Sequence, residues 1–329
     1  MAPSASDSLG AMAESPEITV VVPTRNRWHF LRATLESALA QEGVELEVIV
    51  VDDGSTDETQ ARLGEIADPR LRTVRHDVAR GVAPARNHGI AEARGEWIAF
   101  LDDDDLWAPG KLAMQLAVAR ERAAGFVYCG AAHFDETGAV LWIEPAPATE
   151  MLGQQLRTGN VMPAGASNVI ARASAVRQAG GFDESFFHVA DWDLWLRLAD
   201  KVPAAASAEI LVGYRKHAHN MLTERGQDAM REFDRLAAKH PHPDGNWRQG
   251  GVALARWLGQ NHLRAGRRAD AARCFLRGAL VYRSRRCALL AAGAVVDPRA
   301  VRRALRPEPG AADAAPGWLI ALMSAPADS

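Results

Sequence analysis

Trp97-Ile-Ala-Phe-Leu101 is a short apolar run of the kind a central, fully buried strand requires, and it breaks off in four consecutive aspartates, Asp102 to Asp105. No hydrophobic core holds four adjacent carboxylates, which repel one another at neutral pH, so a chain that ends a buried strand this way must offset their charge. A hard divalent cation with oxygen ligands suits that demand, and Asp102 and Asp104 project to one side if strand geometry persists. The competing reading is a solvated acidic turn ahead of a helix whose first turn follows Pro109.

Other strands end at comparable polar clusters. Ile18 to Pro23 is a β-branched run followed by Thr24-Arg-Asn-Arg27 and an amphipathic segment from Trp28 to Gln41. Leu46 to Val51 runs into Asp52-Asp-Gly-Ser-Thr-Asp57, a turn whose Asp57 is placed to cap the helix after it. A third strand near Leu71 to Arg75 precedes Gly81-Val-Ala-Pro-Ala-Arg-Asn-His-Gly89 and another helix. Strands alternating with helices predict an α/β fold built on a parallel sheet with right-handed crossovers. Ligands of such sheets bind beyond the carboxyl ends of the strands. Thr24 to Arg27, Asp52-Asp53, Arg86-Asn87 and Asp102 to Asp105 are therefore expected around one crevice. There, carboxylates can accept hydrogen bonds from a base or sugar, Arg25, Arg27, Arg80 and Arg86 can offset phosphate charge, and a metal on Asp102 and Asp104 can bridge a diphosphate. Taken singly, each arginine reads better as a solvated surface charge.

Composition excludes several classes. Lys plus Arg number 38 against 41 Asp plus Glu, a net charge of −3, which argues against non-specific nucleic-acid binding. Cys129, Cys274 and Cys287 are far apart, with neither a disulfide framework nor a zinc spacing, so a reducing cytoplasm is the expectation. No apolar stretch reaches the roughly 18 residues of a membrane span. Residues 1–16, rich in Ser, Ala and Pro, read as a disordered leader. There is no GxxxxGK[ST] loop and no GxGxxG turn after the first strand, which disfavours a P-loop nucleotidase and a dinucleotide enzyme.

Val21-Val-Pro-Thr-Arg-Asn-Arg27, Val50-Val-Asp-Asp-Gly-Ser-Thr-Asp57, Gly81 to Gly89 and Phe100-Leu-Asp-Asp-Asp-Asp-Leu-Trp107, in this order, resemble the family 2 glycosyltransferases of the GT-A fold over Glu17 to Asn220. The resemblance implies a Rossmann-like mixed sheet flanked by helices over residues 17–225, with a helical region over 226–329. It also implies inverting transfer of a sugar from a nucleoside diphosphate donor, most often UDP, to a hydroxyl of a polysaccharide, lipid-linked glycan or natural product. By the same resemblance Pro23, Thr24, Arg25 and Asp53 contact the nucleotide, and Arg86 lies near the base or phosphates. The family's DxD element, which holds Mg²⁺ or Mn²⁺ against the diphosphate, maps to Asp102 and Asp104, with Asp104 the more direct ligand and Asp103 among the nucleotide-sugar contacts. The neighbouring acids Asp103 and Asp105 leave that register open by one position.

The second half reads as the acceptor side. Ser167 to Arg172 is expected as a strand, Gly180 to Glu184 as a turn, and Val189 to Leu198 has helical spacing with Asp191 in its first turn, where the helix dipole favours an ionised carboxylate. Inverting transfer needs a single base for the acceptor hydroxyl. The family's aspartate before a Trp-Asp-Leu-Trp run is that base, and it maps to Asp191; Ala190 departs from the usual glutamate. A plain helix-capping role for Asp191 is the alternative. Trp192 and Trp195 read equally as core or as a sugar platform. His217, after a strand expected over Glu209 to Val212, resembles a position close to the diphosphate and metal, and imidazole is a reasonable manganese ligand.

From Gly226 onward only helices are expected. Leu258-Gly259, Gly266, Ala271 and Phe275 fall at the spacings of a tetratricopeptide helix pair, predicting a single hairpin from Trp247 to Tyr282 packed on the catalytic domain or on a partner. Arg283 to Arg286, Ala288 to Val296 and Gly317 to Met323 fit either a peripheral contact with the inner face of a membrane or core-packing helices with a solvated arginine face. Pro307 to Ala315 reads as loose. Two rival functions stay open: a non-catalytic sugar-nucleotide-binding or scaffold protein, which Ala190 encourages, and a sugar-1-phosphate nucleotidyltransferase, which would need a glycine in Pro23-Thr-Arg-Asn-Arg27.

Overall fold

The computed structural model describes residues 15–217, 226–241, 247–305 and 315–324. The leader expected up to Pro16, save its last two residues, and most of the loose segment 307–315 lie outside them.

Among these residues nine strands form one sheet, ordered β3-β2-β1-β4-β8-β6-β9-β5, with β7 paired to β6. Its first part is parallel: β1 (Ile18–Thr24) lies between β2 (Leu46–Asp52) and β4 (Trp97–Phe100), and β3 (Leu71–Arg75) flanks β2. Both faces are covered, which is why these strands read as continuous apolar runs. Val20 and Val22 enter one core with Leu31, Leu35 and Trp107, while Val21 enters the other with Phe100, Trp195 and Leu198. The connecting helices α1 (Trp28–Leu39), α2 (Thr59–Gly64) and α3 (Val82–Glu92) place every β-to-α loop at one edge.

The second part turns the sheet mixed. β8 (Ile170–Arg172) is antiparallel to both β4 and β6 (Phe126–Asp135), and β9 (Ala204–Lys216) runs parallel to β6 and antiparallel to β5 (Leu106–Trp107). The strand expected from Ser167 is shorter, because Gly165–Asn168 forms a 3-10 turn. The strand expected over 209–212 is longer and carries Tyr214 and Lys216 within it. β6 and its hairpin partner β7 (Val140–Glu144) lie where no sequence motif stands out. Helices α4 (Lys111–Glu121), α5 (Leu152–Leu156), α6 (Ala173–Gln178) and α7 (Ala190–Ala199) complete this half. Trp195 is fully buried and Trp192 nearly so, with its indole N–H donated to the Leu156 carbonyl; both are core residues.

The helices that follow are α8 (Gly226–Lys239), α9 (Trp247–Arg264), α10 (Arg268–Leu280), α11 (Arg285–Val296), α12 (Pro298–Ala304) and α13 (Gly317–Ser324). α9 and α10 pack on one another, and their seam joins the sheet's own core: Phe233, Leu258, Cys274 and Tyr282 share one cluster with Trp192 and Leu198. Buried Asp193 ties α7 to α8 through Lys239 and His240. Residues 317–323 dock on the sheet edge, where Leu319 is buried and the Trp318 indole donates to the Ile210 carbonyl. On α11, Cys287, Leu290 and Ala294 face inward while Leu289, Val295 and Val296 stay exposed. No described helix is long and apolar enough to cross a membrane.

Candidate active site

The acidic run after β4 is sorted by its neighbours. Asp105 is fully buried and structural, accepting from the Ser167 hydroxyl at 2.6 Å and from the Arg215 backbone N–H at 3.1 Å. Burial, reinforced by Asp104 and Asp102, pushes its carboxyl well above the usual range. Asp103 is also tied down, by the Thr24 hydroxyl at 2.7 Å and Arg27 at 3.1 Å, and burial likewise pushes it up. Asp104 behaves in the opposite way. Against the penalty of burial, the bond from His217 Nε2 at 2.9 Å and the charge of Arg27, whose Nη1 is also 2.9 Å away, hold its carboxyl below the usual range. Asp102 turns from this pair and meets the Arg86 guanidinium. Asp104 and His217 are therefore in contact, whereas Asp102, expected as their fellow ligand, is engaged by arginine. Among the described residues no three His, Cys, Asp or Glu side chains are grouped to hold an ion unaided.

One cavity of about 440 Å³ joins most of the expected residues. Pro23, Arg27, Arg86, Asp102, Asp103, Asp104, Ala190 and Asp191 all line it. Arg86 comes from α3, packs its guanidinium 5.1 Å from the centre of the Phe182 ring, and leaves a buried Nε with no hydrogen-bond partner in the structure. A buried, unsatisfied guanidinium N–H beside a cavity is a ready site for an anion. Asp191 sits in the first turn of α7 and accepts from the Trp192 N–H at 2.7 Å. Burial raises its carboxyl above the ordinary range, Arg86 pulls it back, and Asp102 adds to the rise. Opposite stands Gly165 in a left-handed conformation (φ +52°), where a Cβ would lie 3.2 Å from Asp191 Oδ2.

Four expected residues do not reach the wall of this cavity. Thr24 and His217 stand behind it and act through Asp103 and Asp104. Arg25 is exposed. Asp53 is buried and holds the segment before α3, accepting from the backbone N–H groups of Arg80 and Gly81 at 2.8 Å each and pairing with His76 at 2.8 Å. Two neighbours expected in the same crevice serve the fold instead: Asp52 pairs with Arg75, and Asn87 exchanges hydrogen bonds with the backbone of Phe182. The far wall holds residues with no motif to announce them: His133 and Glu144 from the β6–β7 hairpin, Tyr214 and Lys216 from β9, and Leu254 and Trp257 from α9. The one sequence signal they carry is alternation along β9, which sends Tyr214 and Lys216 to one side and the buried Arg215 to the other.

Comparison with known proteins agrees with this architecture. The 147-residue match to the Rhizobium meliloti succinoglycan biosynthesis protein ExoO is 40% identical and spans 45% of this chain but only 38% of that protein. The Escherichia coli protein WfgD, a UDP-Glc:α-D-GlcNAc-diphosphoundecaprenol β-1,3-glucosyltransferase, is 27% identical over 67% of this chain and 85% of its own length. Among solved structures, residues 1–349 of S. aureus TarS in complex with UDP-GlcNAc superpose with a TM-score of 0.58 at 15% identity, covering 87% of this chain and 89% of that one. The Pyrobaculum calidifontis mannosyltransferase PcManGT in complex with GDP-Man and Mn²⁺ gives 0.56 at 21% identity, covering 94% and 86%. These likenesses bear out the GT-A fold with a helical region appended. The family model for glycosyl transferase family 2 matches residues 19–180 and that for glycosyltransferase-like family 2 matches 137–240, so the chain belongs to the family 2 glycosyltransferases.

Proposed function

We propose that the protein transfers a sugar from a UDP-sugar to a hydroxyl acceptor with inversion at the anomeric carbon. One observation carries this reading: a single cavity is lined by the acidic loop Asp102–Asp104, by Arg86 with its unpartnered N–H, and by Asp191. Support for the uridine donor comes from WfgD, described as using UDP-Glc, and from TarS in complex with UDP-GlcNAc. The residues present fit a divalent ion such as Mg²⁺ or the Mn²⁺ of PcManGT, since the Asp104 carboxylate on the cavity wall is held ionised by His217 and Arg27 and a diphosphate can complete the ligand set. When bound, such an ion would neutralise the diphosphate and stabilise it as a leaving group.

The protein's own residues supply the rest. Arg86 and Arg27 offset phosphate charge, and Thr24 orients Asp103 beside the donor. Pro23 and Arg25 flank the nucleotide, with Asp53 fixing the loop that carries Arg80. Asp191 takes the proton of the acceptor hydroxyl as that oxygen attacks the anomeric carbon from the face opposite the diphosphate. The α7 N-terminus favours the ionised form of this base, while burial makes it more basic than a solvated aspartate. Ala190 provides no second carboxylate, and the inverting reaction requires none.

The test combines binding with stereochemistry. Thermal shift against nucleoside diphosphates, with and without Mn²⁺, should single out UDP, because a ligand of the native state raises apparent stability. NMR of the transfer product should give the anomeric configuration opposite to the donor's. A product of retained configuration would overturn the mechanism, and UDP binding without transfer across an acceptor panel would favour a sugar-nucleotide-binding protein.

A further inference from the structure

The far wall of the cavity contains chemistry that donor binding leaves unused. Lys216 Nζ lies 4.2 Å from the centre of the Tyr214 ring, 5.4 Å from that of Trp142 and 5.6 Å from that of Trp257. Among the described residues it has no ion-pair partner. Glu144, on the same wall, is engaged by His133 Nε2 at 2.7 Å. A second cation, the Arg264 guanidinium, lies 5.5 Å from the centre of the Trp142 ring. His133 stacks on Trp142, its ring centre 4.1 Å from that of Trp142, and its Nδ1 is buried with no hydrogen-bond partner in the structure. If Nε2–H donates to Glu144, that second nitrogen is a lone-pair acceptor waiting for a donor.

Flat aromatic faces, a cation that forms no direct ion pair and an unfilled acceptor together describe a carbohydrate subsite. Glu144, the carboxylate that acts most on Lys216, is already engaged by His133, while Asp105 and Asp104 act on it more weakly; a cation held against ring faces in a concave site gains most from an anion that arrives with its own hydrogen-bond acceptors. We propose that this wall is the acceptor subsite and that it selects a sugar carrying an acidic group, a phosphate ester or a carboxylate. Lys216 meets the anion, Trp257 supports the sugar ring, and His133 Nδ1 accepts a hydrogen bond from a sugar hydroxyl. The assignment rests on the glycosyltransferase reading, since it is the shared cavity with Asp191 that makes this wall an acceptor site. It gives α9 a direct part in choosing the substrate, through Leu254 and Trp257.

The experiment uses the full chain with UDP present and reads tryptophan fluorescence, for which Trp142 and Trp257 are placed as reporters. Glucose 1-phosphate, methyl glucuronoside, methyl glucoside and inorganic phosphate are titrated separately. One acidic sugar should bind about tenfold more tightly than methyl glucoside, and K216M should erase that preference while K216R keeps most of it. W257A should weaken every sugar. Glucose 1-phosphate in the lead identifies a phosphate-bearing acceptor, and methyl glucuronoside in the lead a carboxylate-bearing one. Equal affinity for acidic and neutral sugars, a preference unchanged in K216M, or inorganic phosphate binding as tightly as glucose 1-phosphate would each overturn the proposal. Calorimetry with UDP separates the two levels: loss of UDP binding in the wild type strikes the transferase reading, whereas intact UDP binding without an acidic preference strikes this subsite alone.

Discussion

His217 Nε2 and Asp104 Oδ2 lie 2.9 Å apart although 113 residues separate them in sequence. The loop after β4 and the end of β9 are thus fastened at the point proposed for the donor diphosphate. D104N should abolish Mn²⁺-dependent UDP binding, and H217A should weaken it by about tenfold to a hundredfold, the usual effect of disturbing a metal site's supporting ligands. Calorimetric titration of UDP with and without Mn²⁺ checks both. Equal UDP affinity in D104N and wild type would remove the acidic loop from donor binding.

Asp191 is the proposed base, and D191N keeps its size while removing proton-accepting ability. Turnover should fall by about 10²- to 10⁴-fold with UDP affinity unchanged. Steady-state kinetics beside calorimetry gives the answer.

The same residue predicts a pH effect. Burial raises the Asp191 carboxyl and Arg86 partly reverses that rise. Because the base must be ionised, R86M should move the acid limb of kcat, measured at saturating donor, to higher pH. The stability linkage has a matching sign: the contribution of Asp191 is complete below the ordinary carboxylate range and is lost as pH climbs through the raised value.

Lys111 gives a second pH test, remote from the cavity. It is fully buried, with its ammonium 2.7 Å from Gln115 Oε1 and 4.0 Å from the centre of the Trp107 ring, and burial lowers its pKa from 10.5 to about 8. Between those values the unfolded chain binds a proton that the folded one lacks, so stability should rise with pH across that window, by up to about 3 kcal/mol. K111M should lack the rise. Urea unfolding at pH 7 and pH 10 makes the comparison, and equal slopes for the two proteins would refute the buried charge.

The α9–α10 seam depends on Gly259. A Cβ there would lie 2.3 Å from Cε1 of the fully buried Phe275. Alanine improves helix propensity by about 1 kcal/mol, but overpacking costs about 1–3 kcal/mol, so G259A should lower stability on balance. Adding F275L should recover part of the loss, as read by the thermal midpoint.

The donor half was legible because its residues lie within a few positions of strand ends, so order along the chain already implied a shared edge. Asp102 and Asp104 were singled out that way, yet only packing showed that Asp105 is held by Ser167 and Arg215 and that Arg86 occupies Asp102. Asp53 and Asn87 were expected in the shared crevice, but their hydrogen bonds run to backbone on neighbouring turns, a use that residue type alone does not reveal. The opposite wall was illegible for a different reason. His133, Lys216 and Trp257 come from a hairpin, a long edge-ward strand and a distant helix, and nothing but tertiary contact relates them.

The docking of α13 has a consequence for how the molecule is made. Translation delivers residues 126–216 long before 317–324, so the groove that Leu319 and Trp318 fill must wait, open to water, while more than a hundred further residues leave the ribosome. A nascent chain stalled short of Trp318 would leave Ala132, Phe134 and Leu106 without the cover that α13 gives them.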